Sequence, residues 1–349
     1  MNRETKGRSD ATYRVGIVGA GTLKGKELAE ILPETSFPAI DIKLLDDEES
    51  LGNLESVGDE VTFVQNATRE NFENLDFVFF ASQPDFTRKT WIMAQKAGAG
   101  IVDLSYGLED VPGATIRSGW MERELRQAPA PELEPGPVVV AHPAAVVLGL
   151  LLFRAQRVAS VGSAVATVFE PASEHGRAGM DELHQQTVNL LSFQEMPKKI
   201  FDEQVAFNLI ARYGHDSKPT LESTERRILA HYKAITGGNA LTPSLMLVQA
   251  PIFHGHVFSL YIELEEPRSI GDLSQALGGE HVVLTRLEDS PSNVNAAGQE
   301  DVLAWMRPDA QRETGFWVWA AADNLRLTAH NAIDCAQQMA ASRPRRTLQ

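Results

Sequence analysis

The stretch that most constrains the fold runs from Tyr13 to Leu32, YRVGIVGAGTLKGKELAEIL. Val15, Ile17 and Val18 read as a short buried strand, and Gly19-Ala20-Gly21-Thr22-Leu23-Lys24-Gly25 follows as a glycine-rich turn. Leu28, Ile31 and Leu32 then recur at helical spacing until Pro33 stops the pattern. Strand, glycine turn and helix in this order open a dinucleotide-binding βαβ unit. Glycines let the backbone turn sharply and approach a pyrophosphate, and the helix start offers unpaired N–H groups at the positive end of its dipole. The spacing is G-x-G-x-x-x-G, one residue longer than the common form, so the flanking strand and helix matter as much as the glycines. Gly19, Gly21, Thr22, Leu23 and Gly25 are the candidate cofactor contacts.

Beyond the first helix the chain keeps alternating. Ile40 to Leu45 reads as a second strand and runs into Asp46-Asp47-Glu48. That is about twenty residues past the turn, where a dinucleotide site places its ribose-contacting acid. Asp46 there favours NAD over NADP, whose extra phosphate would need an arginine. Val61 to Val64 and Phe77 to Ala81 are further β-like runs. Ala81-Ser82-Gln83-Pro84 then enters a helix over Asp85 to Ala97 with Phe86, Trp91, Ile92 and Met93 inward. Ser82 joins the cofactor contacts. Gly100 to Leu104 and Val138 to Ala141 complete a parallel, doubly wound sheet, with Gln127 to Pro137 as an exposed proline-rich loop between them.

From Ser163 the pattern changes. SAVATVF, AFNLI, LMLVQAP and HVFSLYIEL read as strands among helices at Arg177 to Leu191, Leu221 to Thr236 and Ile270 to Leu277. Met180, Leu183, Leu190 and Leu191 are the expected buried stripe of the first of these helices. The alternation in HVFSLYIEL suits a mixed or antiparallel sheet covered on one side. Phe316 to Ala321 is the last strand. It leads through Asp323-Asn324, Asn324 being a further cofactor candidate, into a long helix to Ala341. The expected division is 12–143 for the nucleotide domain, 144–322 for an α+β domain and 323–342 for a returning helix.

Composition narrows the function classes. With 32 basic and 47 acidic residues the formal charge is −15, which argues against nucleic acid or an anionic membrane as partner. No apolar run is long enough for a bilayer span. Met1 to Ala11 lacks the apolar core of a signal peptide and reads as a loose tail, as does Ser342 to Gln349. One cysteine, Cys335, excludes an intrachain disulfide and suits the reducing cytoplasm.

GAGTLKG, AHPAAVV, HGRAGMDELHQQT, QAPIFHGH and DNLRLTAHNAI occur in that order. With these landmarks the chain resembles the aspartate-semialdehyde dehydrogenases from Val15 to about Met339. The resemblance implies a Rossmann-type α/β nucleotide domain, an inserted α+β dimerisation domain, a closing C-terminal helix and assembly with itself as a homodimer or tetramer. It also implies NAD(P)-dependent reduction of an acyl phosphate through a cysteine thioester formed at a helix start. The family sequence there is Asn-Pro-Asn-Cys; here it is His142-Pro143-Ala144-Ala145, so Ala145 stands at the nucleophile. Glu170 takes the place of a substrate-orienting glutamine and Gln249 that of the arginine gripping the substrate carboxylate. On a looser alignment, Glu109 replaces a phosphate-holding arginine. The family histidine remains as His256.

Together these changes imply a nucleotide-binding or regulatory protein that keeps the fold and the dimer surface without the thioester chemistry. Alternatives are an oxidoreductase of this class, or a non-covalent or metal-assisted enzyme in the same cleft. Glu170, His175, His254 and His256 are the residues a metal would use if an extended segment put both histidines on one side. The favoured reading makes them hydrogen-bonded cleft residues and assigns no metal. Trp305, Trp317 and Trp319 are expected in the core or an interface, and His215, His231, His281 and His330 receive no role.

Overall fold

The computed structural model describes residues 12–126, 136–286 and 289–342. Both expected tails, apart from Ser342, and most of the Gln127 to Pro137 loop lie outside that range. The first part of the chain forms strands β1 (Tyr13–Val18), β2 (Ala39–Asp46), β3 (Leu54–Val57), β4 (Glu60–Phe63), β5 (Gln65–Asn66), β6 (Phe77–Phe80), β7 (Gly100–Asp103), β8 (Thr115–Arg117) and β9 (Val138–Val140). Its helices are α1 (Leu23–Ile31), α2 (Arg69–Phe72), α3 (Pro84–Lys96) and α4 (Gly119–Glu124). Helix α5 (Pro143–Gln156) leads into β10 (Val161–Glu170), α6 (Gly176–Leu191), α7 (Leu221–Thr236), β11 (Ser244–Gln249) and β12 (His256–Leu264). Then come α8 (Ile270–Leu277), β13 (Val282–Leu284), α9 (Asn293–Ala296), β14 (Val302–Pro308), β15 (Gly315–Ala322) and α10 (Asn324–Ser342).

Seven strands make a parallel sheet in the order β5-β2-β1-β6-β7-β9-β8. All four residues of β6 and of β7 are buried, as a sheet covered on both faces requires. The connection from β1 runs outward to β2 and the chain later returns to β6 on the other side. The gap between β1 and β6 is therefore the switch point where such sheets bind ligands. Helix α10 comes back to this domain, burying Ala332, Ile333, Cys335 and Ala336 in the same core as Val15, Ile17 and Leu28.

The second sheet is mixed, with order β11-β10-β12-β15-β14-β13. Its inner face, with Ala164, Ala166, Val168, Phe258 and Leu260, packs against α5, α7 and α8. Helix α5 is buried continuously from Pro143 to Leu152, so it serves as the spine of this core. The outer face carries Val165 and Met246, each more than half exposed, with Tyr261, Trp305, Trp317 and Trp319 only partly covered. No described helix is long and apolar enough to cross a membrane.

Three expectations change. AFNLI is a turn with a single bridge from Ile210 to Gln249, because Phe207 takes a positive φ of 56° and breaks the extended run. In α6 only Leu183 of the expected stripe is fully buried, and Leu191 is 69% exposed. The buried face is instead polar: Glu182 accepts the N–H groups of Lys199, Ile200 and Phe201, and Gln186 those of Val205 and Ala206. In α3 the fully buried residues are Thr87, Thr90 and Ala94, while Ile92 faces solvent. The Val61 to Val64 run becomes β4 in a hairpin with β3, while β3 and the short strands β8, β13 and β14 have no clear periodicity in sequence and are fixed by their sheet neighbours.

Candidate functional site

The glycine turn has two kinds of glycine. Gly19 has φ +86°, and a Cβ there would lie 2.4 Å from the Ser82 nitrogen; at Gly25 it would lie 2.1 Å from the Gly19 oxygen. Both let α1 close onto the strands. At Gly21 a Cβ would meet only the carboxylate oxygens of Asp46 at 3.8 Å and Glu55 at 4.0 Å, so this backbone is uncrowded. Thr22 caps α1 by accepting the Gly25 N–H, and Leu23 opens the helix, partly buried. Asp46 ends β2 beside the turn, its Oδ2 3.4 Å from the Gly21 nitrogen. Burial holds its carboxyl above the usual range, against the N–H bonds from Asp47 and Gly21. Ser82 presents its backbone to Gly19, and its hydroxyl lies 2.9 Å from that of Thr87. An uncrowded glycine, a helix start and a carboxylate at the end of β2 fit the adenosine and pyrophosphate of a dinucleotide.

At the opposite wall α5 begins with His142 as its cap. The imidazole Nδ1 accepts the Ala144 N–H at 3.2 Å, so the side chain closes its own helix start. Ala145 follows, fully buried. Burial, then the neighbouring His256 and His231, pulls His142 well below the ordinary histidine value and keeps it neutral. The only cysteine lies in α10, fully buried, its thiol pushed up to about 12 by burial. It is no substitute for a nucleophile at α5.

Around this start the side chains form closed networks with a few open ends. Tyr213 donates to Gln249 Oε1 at 2.6 Å and accepts from His175 Nε2 at 2.8 Å. Gln249 Nε2 donates to the carbonyls of Glu170 and Ala250, so every polar atom of this amide is engaged. Asn324 is equally committed: it accepts from Ser173 and the Gly255 N–H and donates to Glu174. The open ends are Glu170 Oε2, both ring nitrogens of His256, and the Tyr106 hydroxyl, all buried without a hydrogen-bond partner among the described residues. The His256 and His142 rings lie 5.6 Å apart, and His142 stacks on Tyr106 at 5.7 Å. Buried polar atoms left unpaired cost free energy, and their convergence in one cleft marks a place for a polar ligand.

Glu109 differs from its expected role. Its Oε1 accepts from Arg227 Nε at 2.6 Å and lies 2.9 Å from His231 Nε2. His231 Nδ1 accepts the His142 N–H, so Nε2 carries the proton and donates to Glu109. The carboxylate is therefore neutralised rather than free to repel an anion. Sequence reasoning missed His231, Arg227, Tyr106 and Lys24. Asp103 accepts N–H groups from Ser105 and Leu108, folding a turn in which Tyr106 takes φ +63°. Lys24 Nζ reaches across to donate to the Leu104 carbonyl at 3.1 Å and sits 4.4 Å above the Tyr106 ring. Its position within the glycine turn was the available signal.

The metal reading has no support in this arrangement. Gly255, at φ +83°, separates His254 from His256, and β12 begins only at His256, so alternation along a strand does not apply. Among the described residues no three histidine, cysteine or acidic side chains converge to hold a metal ion.

Residues 14–120 match the semialdehyde dehydrogenase NAD binding domain, and 154–327 the semialdehyde dehydrogenase dimerisation domain. Over 338 residues the chain is 28% identical to the aspartate-semialdehyde dehydrogenase of Rickettsia bellii, covering 94% of this chain and 97% of the relative. It is also 28% identical to a USG-1 protein homolog of Pseudomonas aeruginosa, over 91% of this chain and 95% of that one. The solved structure of a probable aspartate-semialdehyde dehydrogenase from Pseudomonas aeruginosa superposes with a TM-score of 0.83 at 26% identity, over 95% and 99% of the two chains. With both domains of one family present in order, the chain belongs to the semialdehyde dehydrogenase family.

Proposed function

We propose that this protein is a nucleotide-binding member of its family that does not carry out the thioester-forming dehydrogenase reaction and acts by binding. The observation that carries this is the start of α5, where Ala145 offers a methyl group and His142 occupies the first helix N–H. Covalent acyl transfer needs a nucleophile at the helix start and donors free for the oxyanion, and both are absent there. Gln249 adds to this reading, since none of its polar atoms is free to hold a substrate carboxylate. One of the two full-length relatives named above carries a name other than dehydrogenase, which is compatible with a non-dehydrogenase role.

NAD is the proposed ligand, ahead of NADP. Gly21, the α1 start and Asp46 would hold the adenosine side, and bound nicotinamide would supply hydride chemistry. Asp46 and Glu55 both stand beside the turn, and Glu55 is paired with Lys26 of α1 at 3.0 Å, so Asp46 is the one without a cationic partner among the described residues. Self-association as a homodimer through the uncovered outer face of the second sheet completes the proposal, its apolar and aromatic side chains being the surface available for burial. Titration calorimetry with NAD and NADP, beside an assay of phosphate-dependent oxidation of aspartate semialdehyde, tests the reading. NAD binding without turnover is expected, and turnover at a rate ordinary for an enzyme would overturn it.

A second reading rests on the unpaired atoms of His256, Glu170 and Tyr106. They support non-covalent chemistry on a small polar ligand in the same cleft. Reduction or oxidation of a carbonyl compound without phosphate, lost in His256→Ala, distinguishes it from pure binding.

A further inference from the structure

Lys24 has a part beyond framing the glycine turn. It leaves the first turn of α1, yet its ammonium lies at the end of β7, bonded to the Leu104 carbonyl and 4.4 Å above the Tyr106 ring. Among the described residues no carboxylate comes within ion-pairing distance of it. The nearby cation Arg227, 5.0 Å from the same ring, is already paired with Glu109. Asp103 is taken up by Ser105 and Leu108. Glu174 is tied to Asn324 on one oxygen. Burial lowers the Lys24 pKa, while Glu174 and Asp103 raise it again. Lys24 thus puts an undirected positive charge at one definite end of the nucleotide crevice.

Which end follows from the sheet. Asp46, on β2, takes the ribose on one side of the switch point, and the α1 start takes the pyrophosphate. The other half of an extended dinucleotide then continues across β6 toward β7, where Lys24 and Tyr106 stand. The oxidised nicotinamide ring is a cation and the reduced ring is neutral. A fixed ammonium in a partly desolvated cleft repels the first and leaves the second unaffected.

We propose that Lys24 makes the site selective for the reduced dinucleotide, so that the protein responds to the redox state of the nicotinamide pool. The inference rests on the dinucleotide reading above, and the experiment separates the two. NADH, NAD and ADP-ribose are titrated by calorimetry into the wild type, Lys24→Met and Lys24→Arg, each checked for an unchanged melting temperature. The expected wild-type result is NADH tighter than NAD by roughly tenfold or more. Lys24→Met brings the two within about threefold and Lys24→Arg preserves the gap, while ADP-ribose, lacking the ring, binds all three proteins alike. Equal affinities in the wild type, or a gap that survives Lys24→Met, would overturn the role of Lys24 while leaving the dinucleotide site intact. Failure of all three ligands to bind would remove the site itself and the inference with it.

Discussion

Two helices begin at the cleft, and their starts have diverged in opposite directions. At α1 the cap is Thr22, a small side chain that satisfies one N–H and leaves Gly21 uncrowded. At α5 the cap is His142, whose ring folds back on its own helix, with alanines following where a nucleophile would act. Helix starts attract anions and stabilise thiolates through the same unpaired N–H groups. One start keeps that capacity for a ligand; the other has used it internally. On the proposed reading, binding and covalent chemistry are separable within this fold, since each depends on a different helix end.

The largest test of that contrast is turnover. The wild type is expected to show no phosphate-dependent NAD(P)H production from aspartate semialdehyde, a deficit on the order of 10⁴-fold or more against a competent enzyme. Ala145→Cys alone is expected to recover little, because Gln249 still cannot pair with a carboxylate. Adding Gln249→Arg should give more than the sum of the two separate changes, as binding and attack depend on each other. Glu109→Arg on top of these is expected to be unfavourable, since it would set two guanidiniums together and leave His231 without its acceptor. Robust turnover by the wild type would erase the distinction between the two starts.

Next in size is the difference between two glycines of the α1 turn. Gly25→Ala drives a Cβ into the Gly19 carbonyl and should cost about 3 kcal/mol or more in urea unfolding, despite alanine's better helix propensity. Gly21→Ala makes only an ordinary van der Waals contact, 3.8 Å to Asp46 Oδ2, and should leave stability within about 1 kcal/mol while weakening dinucleotide binding. Equal stability losses at both positions would mean that Gly21 is a packing residue and that the start is not open.

The α5 start has its own signature in pH. His142 has a folded pKa depressed below the ordinary 6.5, so the unfolded chain takes up its proton first as pH falls. Its contribution is therefore present above about pH 6.5 and is lost progressively as pH drops toward the folded value. Stability should decline between pH 7 and pH 5, and His142→Asn, which keeps a capping side chain, should remove up to about 1.4 kcal/mol per pH unit of that slope. An unchanged slope would show that the imidazole does not titrate as a buried cap. The smallest effect belongs to Asp46→Asn, expected to weaken NAD by about tenfold with little change for NADP. Tighter NADP than NAD in the wild type would refute the assignment of this carboxylate to the ribose.

Much of this could be read in one dimension. The β1–α1 unit, the all-apolar β6, the short run of β7, the closing helix and the switch to alternating strands after Ser163 each announce themselves by local period and by glycine chemistry. Residues that depend on neighbours within a few positions, such as Gly19, Thr22 and Asp46, were legible for the same reason. The stripe of α6 was misread because burial there is set by a distant loop, whose N–H groups at Lys199 to Phe201 select Glu182 in place of an apolar residue. AFNLI failed similarly, its composition being strand-like and its backbone bent at Phe207.

The sequence by itself determined the fold class, the glycine turn and the alanine at position 145, because each is written in residue identity over a short span. Only the tertiary structure decided what the polar residues of the cleft do. Glu109 became the partner of Arg227 and His231 through 118 and 122 residues of separation, and Lys24 met Leu104 and Tyr106 from the other side of the sheet. Whether a charge is free or neutralised depends on partners brought within a few ångströms by packing, and no local pattern carries that distance.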